Sequence, residues 1–371
     1  MKILHLTKKY PNAMGGDAVY VANLEKYQRI SGHQVFILTS NCKEIVTRDN
    51  VFKFGLKDRA RNWDKIGFKR LISMLMLIFY FPYILKKIRP DVIHAHSVEL
   101  GFIACLWVRI FKVPVVLTCH SILFPYRDCG FFRRVVDFIL LKLSSYKEII
   151  TVDTESLGDF KRLNFKDCIF IPTGVDLDLF NFGEAKGKNG KIKFLFVGRL
   201  EKIKGLNLLF QSINLIAGRC RDFEVLIVGE GSEEENLRRL SKELNIESFV
   251  SFLGPVYNSQ VLIDLYRSCD IFILPSLREW CPLVIFEAWA SSLALIATKT
   301  GSIAKICTHL EDSYIIRPGD VNDLQQAMLD LIQNSDLRNK LAKSGRRLVE
   351  KQYNWHILNS EIGKVYTNIL K

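Results

Sequence analysis

Short apolar runs rich in β-branched residues alternate along the chain with segments of helical length. Lys2–Leu6, Gln34–Thr39, Val92–His94, Val115–Thr118, Glu148–Val152 and Ile169–Pro172 read as strands. They are near-continuous hydrophobic runs, the pattern of parallel strands covered on both faces. Ala18–Ser31 carries a helical period and stops at Gly32, where a helix end favours glycine. A second series begins at Phe194–Val197 and continues through Val225–Val228, Val250–Leu253, Ile271–Leu274, Ala294–Ala297 and Tyr314–Ile316, with helices such as Ser232–Leu244 and Asn322–Gln333 between. Asn181–Gly190 holds three glycines and no apolar period, so it reads as a linker. The expected fold class is α/β, with two doubly wound Rossmann-like domains facing a cleft at the carboxyl ends of their strands. The expected bounds are 1–180, a linker at 181–190, 191–351, and a last helix over 352–371.

Length agrees, because 371 residues exceed one ordinary core. Hydrophobic residues at 49% exclude a disordered or low-complexity chain. Nine cysteines without a C-x-x-C pair point to reduced thiols in a cytoplasmic protein. Met1–Tyr10 has only a short apolar stretch before Lys8 and Lys9, which fits a strand and not a signal peptide.

Charge changes the picture. The net +13 is concentrated in residues 1–180, where 27 basic residues face 17 acidic ones. Residues 51–90 alone hold ten basic residues against Asp58 and Asp64. An anionic partner is implied: a phosphorylated substrate, a nucleic acid or a membrane surface. Within that stretch Leu71–Leu85 is a fifteen-residue apolar run broken by Pro82, too short to span a bilayer at ~20 residues. Flanked by Lys69-Arg70 and Lys86-Lys87, it could lie on an anionic membrane, or pack on the N-terminal sheet as a helix with lysines at its ends.

Three groups in the second half carry candidate chemistry. In Phe196-Val-Gly-Arg-Leu-Glu-Lys-Ile-Lys-Gly205 a strand runs into a loop bearing Arg199, Lys202 and Lys204, with a helix directly after. Cations there, beside free helix N–H groups, can receive a pyrophosphate, or can simply be solvated loop charges. In Ile227-Val-Gly-Glu-Gly-Ser232, Gly229 and Gly231 around Glu230 permit close approach of a ligand, and Ser232 can cap the next helix; an ordinary strand-to-helix turn fits equally well. In Glu279-Trp-Cys-Pro-Leu-Val-Ile-Phe-Glu287, Pro282 suits a first helical position and leaves the N–H groups of Leu283 and Val284 open to an anion. Glu287 then lies among apolar neighbours, where it needs hydrogen bonds: from the two hydroxyls of a ribose, or from a Lys or Arg partner.

Two glutamates with seven residues between them, preceded by Leu274-Pro275-Ser276 and followed by Ala288-Trp-Ala290 and Ile296-Ala-Thr298, resemble the E-x7-E segment of retaining glycosyltransferases of group 1 (family 4), which have the two-domain GT-B fold. Gly198-Arg199-Leu200 through Lys204-Gly205 is similar to that family's diphosphate loop, Pro172-Thr-Gly-Val-Asp176 to its Pro-Asn-Gly-Val-Asp element, and Gly15-Gly16 to its first glycine loop. The resemblance covers nearly the whole chain. It implies a nucleotide-sugar donor (UDP or GDP), a glycan or lipid-linked acceptor, no metal and no further cofactor. Arg199 and Lys204 would neutralise the diphosphate, with Gly229, Glu230, Leu283 and Val284 in the donor site. Glu287 would hold the ribose, and Glu279 the donor sugar or its phosphate. Gly15 and Gly16 would approach the diphosphate from the other domain. His120, in Thr118-Cys-His120, matches the family's histidine near the donor sugar and the incoming acceptor. The carboxyl-terminal helix would cross back to the first domain. The chain departs from the family at Trp280-Cys-Pro282, where Gly-Phe-Gly is common, and at Ser292, Gly301-Ser302 and Lys305; these leave the donor sugar open.

His94 and His96 share a face of one strand and, with His120, could form a three-histidine zinc site; a cleft position for one and a satisfied core position for the other is the plainer alternative. A nicotinamide-dependent dehydrogenase would need G-x-G-x-x-G straight after a strand, and Lys8–Asp17 offers only Gly15-Gly16. A nucleic-acid binder would carry a recognisable module among its cations, and none appears, so no nucleic-acid partner is expected. Retention of both Glu279 and Glu287 argues against a non-catalytic relative.

Overall fold

The structure is a computed structural model that describes residues 1–10, 16–41, 50–54, 68–120, 131–165, 168–180 and 190–371. The chain divides into two compact units, Met1–Pro172 with Trp355–Lys371, and Thr173–Asn354.

The first unit runs β1 (Lys2–Lys9), α1 (Gly16–Ile30), β2 (Gln34–Asn41), β3 (Val51–Lys53), α2 (Phe68–Ile88), β4 (Val92–Ala95), α3 (Val98–Phe111), β5 (Val115–Cys119), α4 (Phe131–Leu143), β6 (Glu148–Thr151), α5 (Thr154–Arg162) and β7 (Cys168–Phe170). The seven strands form one sheet in the order β3-β2-β1-β4-β5-β6-β7. Their pairings are all parallel. Parallel strands place successive side chains on opposite faces. Leu4, Leu6, Ile93, Ala95 and Leu117 therefore share an apolar core with Leu77, Phe81, Leu100 and Ile103 of α2 and α3. The opposite face carries His5, His94 and Thr118, which meet α1 and the last helix.

Pro82 does not break the apolar run: α2 continues through it for 21 residues. A mid-helix proline costs about 3 kcal/mol. Leu77, Phe81, Ile84, Leu85 and Ile88 are all buried beneath the helix. At about 1.5–3 kcal/mol per large side chain, their burial outweighs the lost hydrogen bond. The expectation of a helix packed on the sheet is met on this face, while Leu75, Met76, Phe79 and Tyr83 stay exposed on the other. Most of the basic 51–90 segment before it, residues 55–67, lies outside the described residues.

The second unit runs β8 (Ile192–Val197), α6 (Leu206–Ala217), β9 (Phe223–Val228), α7 (Glu234–Glu243), β10 (Val250–Gly254), α8 (Ser259–Ser268), β11 (Ile271–Leu274), α9 (Leu283–Ala290), β12 (Ala294–Thr298), α10 (Ile303–Ile306), β13 (Tyr314–Ile316), α11 (Val321–Gln333) and α12 (Ser335–Lys351). Six parallel strands stand in the order β10-β9-β8-β11-β12-β13. The order reverses direction between β8 and β11, the switch point at which doubly wound sheets bind ligands. Side-chain caps fix the later helices: Asp320 accepts from Asn322 and Asp323 at α11, and Asn334 from Leu337 at α12. Ser232, expected as a cap, lies one residue too early; Glu233 is the N-cap of α7, without a side-chain bond.

Two expected boundaries move. Residues 173–180 belong to the second unit and not the first, because the Val175 N–H donates to Tyr353 and Arg346 donates to the Phe180 carbonyl. Trp355, not 352, begins α13 (Trp355–Leu370), which packs on α1 within the first unit. The expected linker, 181–190, lies outside the described residues except for Gly190.

Candidate functional site

Three strand ends of the second unit are stitched together by backbone contacts. After β8, the Gly198 N–H donates to Val228 and the Leu200 N–H to Glu230. The Leu277 N–H, after β11, donates to Ile203 in the β8 loop. Gly205 has φ 69°, and a Cβ there would lie 2.1 Å from the Pro275 carbonyl oxygen. Gly229 has φ 141°, and a Cβ would lie 1.8 Å from the Gly198 carbonyl oxygen. Only glycine permits both approaches, so these glycines are packing devices that bring the basic loop against its neighbours.

Lys202–Lys204 form a single 3-10 turn closed by Gly205. It turns Lys204 inward, and Nζ lies 2.5 Å from Glu279 Oε1, with side-chain exposures of 16% and 7%. The same carboxylate oxygen accepts from Ser276 Oγ at 2.6 Å. Glu279 is thus held by two donors from two strand ends. Arg199 is two-thirds exposed and paired with Glu201 at 2.7 Å. The β8 loop therefore supplies one nearly buried cation, Lys204, and two exposed ones, Arg199 and Lys202. Glu230 is half-buried and accepts from the Tyr257 hydroxyl at 3.4 Å.

Pro282 is the N-cap of α9 in extended conformation, one position before the first helical residue expected for it. Leu283 and Val284 consequently open the helix, and N–H groups of a first turn have no acceptor within their own helix. Their positive end suits an anion. Glu287 sits one turn later, half-buried, and accepts from the Tyr266 hydroxyl at 2.8 Å. The partner is thus a tyrosine from α8, not the Lys or Arg weighed from the sequence. Burial raises its carboxyl pKa above the ordinary range, and the Tyr266 bond opposes that rise in part.

In the first unit, His120 follows β5 and is half-buried, its ring edge-on to Tyr20 at 4.8 Å. Its Nε2 lies 3.4 Å from His96 Nδ1. The close histidine trio is not His94, His96 and His120 but His5, His94 and His96, all buried. His5 was invisible as a partner in the sequence because only the β1–β4 register, which sets it beside His94, brings it there. As a metal set the trio is already satisfied otherwise. His5 binds His96 at 3.0 Å and Gln28 at 2.8 Å, and His94 binds Tyr366 at 2.5 Å and Thr118 at 2.6 Å. Every ring nitrogen of the three has a hydrogen-bonding partner, which accounts for the cluster without an ion.

Gly16 is the exposed first residue of α1, with Asp17 beside it in the first turn. Gly15 lies outside the described residues. Tyr266, Gln28 and Tyr366 were not singled out by sequence, and Ser276 only as part of the run before Glu279; the partner of each is fixed only by the fold. Among the described residues no helix is long and apolar enough to cross a membrane, and the seven described cysteines are free.

Known proteins agree with this architecture. Residues 180–348 match the family model described as glycosyl transferases group 1, and residues 14–179 match that of glycosyltransferase family 4. A phosphatidyl-myo-inositol mannosyltransferase of Mycobacterium leprae is 25% identical over 96% of this chain and 93% of its own. An uncharacterized glycosyltransferase of Methanocaldococcus jannaschii is likewise 25% identical, over 100% of this chain and 99% of its own. Among solved structures, sucrose-phosphate synthase from Thermosynechococcus elongatus superposes with a TM-score of 0.82 at 20% identity, covering 99% of this chain and 98% of its own. Anabaena HepE in complex with UDP gives the same TM-score at 18% identity, covering 99% of this chain and 100% of its own.

Proposed function

Because the chain belongs to the group 1 glycosyltransferases of family 4 and has the GT-B fold, we propose that it moves a hexose from a UDP- or GDP-sugar to a hydroxyl of a lipid-linked or cell-surface glycan precursor, with retention of anomeric configuration and without a metal. The observation that carries this reading is the Lys204–Glu279 contact. It ties the basic loop after β8 to the glutamate segment after β11, at the switch point of the sheet.

The chemistry follows from charge. The bond between the sugar C1 and the diphosphate oxygen breaks, and a bond from C1 to the acceptor oxygen forms on the same face. The acceptor's proton goes to the departing phosphate oxygen. Negative charge grows on the diphosphate as this happens, so fixed positive groups aimed at it are the main catalytic term. Lys204, Arg199 and the opening N–H groups of α9 are those groups. Glu287 accepts from the ribose hydroxyls, and Gly229 and Glu230 line the donor's phosphates. Glu279, already bonded to Lys204 and Ser276, positions that lysine and contacts the donor sugar. His120 meets the sugar and the incoming hydroxyl.

The acceptor side calls for a surface. Phe79 is 80% exposed and Tyr83 55%, and with Leu75 they repeat every four residues along α2. Leu106 and Ile110 of α3, and Ile139 and Leu143 of α4, are exposed on the helices that follow. Exposed Lys86 and Lys87 lie in the last turn of α2, and exposed Arg109 and Lys112 at the end of α3. Exposed apolar residues on helices that end in cations suit an anionic bilayer, where a lipid-linked acceptor would be met. The M. leprae relative, a phosphatidyl-myo-inositol mannosyltransferase by name, supports a lipid acceptor.

A thermal-shift panel of nucleoside diphosphates and nucleotide sugars tests the donor. A ligand at a hundredfold excess over its dissociation constant stabilises by ~2.7 kcal/mol. UDP or GDP should raise the melting temperature of the protein; silence across the whole panel would remove the reading.

A further inference from the structure

Beneath His120 lies a buried chain of polar side chains that the proposed reaction does not use directly. His120 Nε2 faces His96 Nδ1 at 3.4 Å, and His96 Nε2 faces His5 Nδ1 at 3.0 Å. His5 Nε2 faces Gln28 Oε1 at 2.8 Å. From the same amide, Gln28 Nε2 donates to the Tyr366 hydroxyl at 3.1 Å, which meets His94 Nδ1 at 2.5 Å. His94 Nε2 ends the chain on Thr118 Oγ1 at 2.6 Å. Four imidazoles, one amide, one phenol and one threonine hydroxyl thus form a single string, contributed by β1, β4, β5, α1 and α13.

The string has a direction because of chemistry alone. An amide oxygen can only accept, so the hydrogen of His5 must sit on Nε2. A neutral His5 then offers a bare Nδ1, which obliges His96 to carry its hydrogen on Nε2. His96 Nδ1 is bare in turn, and His120 must donate from Nε2. On the other arm the amide nitrogen can only donate, so the Tyr366 oxygen accepts from it and has its own hydrogen available for His94 Nδ1, the arrangement in which His94 carries its hydrogen on Nε2 and donates to Thr118. Burial keeps the rings neutral, as this logic requires: it lowers the pKa of His5 and of His120 to about 4, and those of His94 and His96 well below the ordinary value. Arg29 near His5 works in the same direction, and Asp17 near His120 opposes it.

We propose that His96, His5 and Gln28 are positioning residues that lock His120 in the Nε2–H tautomer, leaving its Nδ1 as a bare acceptor for a sugar or acceptor hydroxyl. This rests on the reading of His120 as the group that meets the sugar. The identity of one amide, 23 residues from His5 in sequence, sets the acceptor–donor polarity of a ring three links away. An apolar side chain at position 28 or 96 would pack at lower desolvation cost but would free the ring at 120 to adopt either tautomer.

The test begins with the unaltered protein labelled with 15N-histidine. Ring nitrogen–proton correlations at pH 7 should show His5, His94, His96 and His120 all as Nε2–H tautomers. A Nδ1–H form at His120 or His96, or stoichiometric uptake of zinc by the cluster, overturns the proposal. Those readouts need no turnover, so they stand even if the transfer reaction itself is never seen. Next, Gln28→Leu should give mixed tautomers at His120 and lower kcat about ten- to a hundredfold, with KM for the nucleotide sugar within about twofold. Gln28→Glu, which accepts on both arms, should turn His5 into an imidazolium visible in the same spectra. Unchanged kcat in Gln28→Leu alongside mixed tautomers would show that the string only fills the core, and would sink the idea. Should Gln28→Leu fail to fold, the spectra of the unaltered protein still decide.

Discussion

Lys204 Nζ and Glu279 Oε1 are 2.5 Å apart and nearly buried, although 75 residues of chain separate them. The cation we propose for the diphosphate is therefore held by a carboxylate from the adjoining strand end. The pairing keeps Lys204 extended into the site and keeps the neighbouring anion compensated. It also couples the two motifs, so neither can be altered alone.

That coupling separates two variants. Removing one partner of a buried pair costs about 3–5 kcal/mol, because the other charge is left alone. Lys204→Ala should lower the melting temperature and abolish the shift produced by UDP or GDP. Glu279→Gln keeps an acceptor for Ser276 and removes the charge; it should fold, bind nucleotide and lose most transfer activity. Thermal melts with and without nucleotide, with a transfer assay, check both; nucleotide binding by Lys204→Ala at parental strength would refute the role of the lysine.

Glu287 predicts a pH dependence. Burial raises its folded pKa above the ordinary value of 4.5. A carboxyl whose folded pKa exceeds its unfolded one costs stability as pH rises from the unfolded value through the folded one. The carboxylate is also the form that accepts from ribose hydroxyls, so nucleotide affinity should strengthen over that window, above the ordinary glutamate range. Glu287→Gln should be at least as stable as the parent above the window and should bind nucleotide without this pH trend. Calorimetric titration of UDP or GDP at several pH values measures it; an affinity flat with pH in the parent speaks against ribose binding by Glu287.

Helix α9 depends on a glycine in α12. A Cβ at Gly345 would lie 2.1 Å from the Trp289 ring, and Trp289 is fully buried. Overpacking of this kind costs about 1–3 kcal/mol, or about 2–4 °C per kcal/mol in a unit of this size. Gly345→Ala should melt earlier and bind nucleotide more weakly, since Trp289 and Glu287 ride on the same short helix. An unchanged melting curve would mean that α12 can move away at no cost.

The exposed stripe on α2 should respond without any change in stability. Phe79→Ser combined with Tyr83→Ser should leave the melting temperature within about 1 °C, because surface changes stay within about 0.5 kcal/mol. Binding to vesicles containing anionic lipid should fall several-fold. Vesicle co-sedimentation at low salt reads this out. Equal binding by the double variant would assign the stripe to something other than a bilayer.

What was legible in the sequence had a physical basis. The central strands were visible because parallel strands covered on both faces are apolar without interruption, and β11 and β13 lie where their runs placed them. Strand β3 was missed: three half-exposed residues at a sheet edge carry no such run. A helix packed on the sheet was one of two readings for α2; that it runs unbroken through Pro82 rests on a burial energy that only the packed helix reveals. The basic loop and both glutamates were recognisable by order along the chain. Their contacts with Ser276 and Tyr266 were not, since a lone hydroxyl has no periodicity. His5 needed the register of β1 on β4, a long-range fact absent from any local window.

Helix α13 has a consequence for synthesis. Its residues are synthesised after the whole of the second unit, yet they complete the unit whose strands come before it, and Tyr366 is one of the links behind His120. The intervening unit, a continuous stretch from Thr173 to Asn354, has every strand it needs before that helix exists. Domains fold as they emerge, so Thr173–Asn354 can mature while the unit that starts before it still waits, with α1 uncovered, for α13.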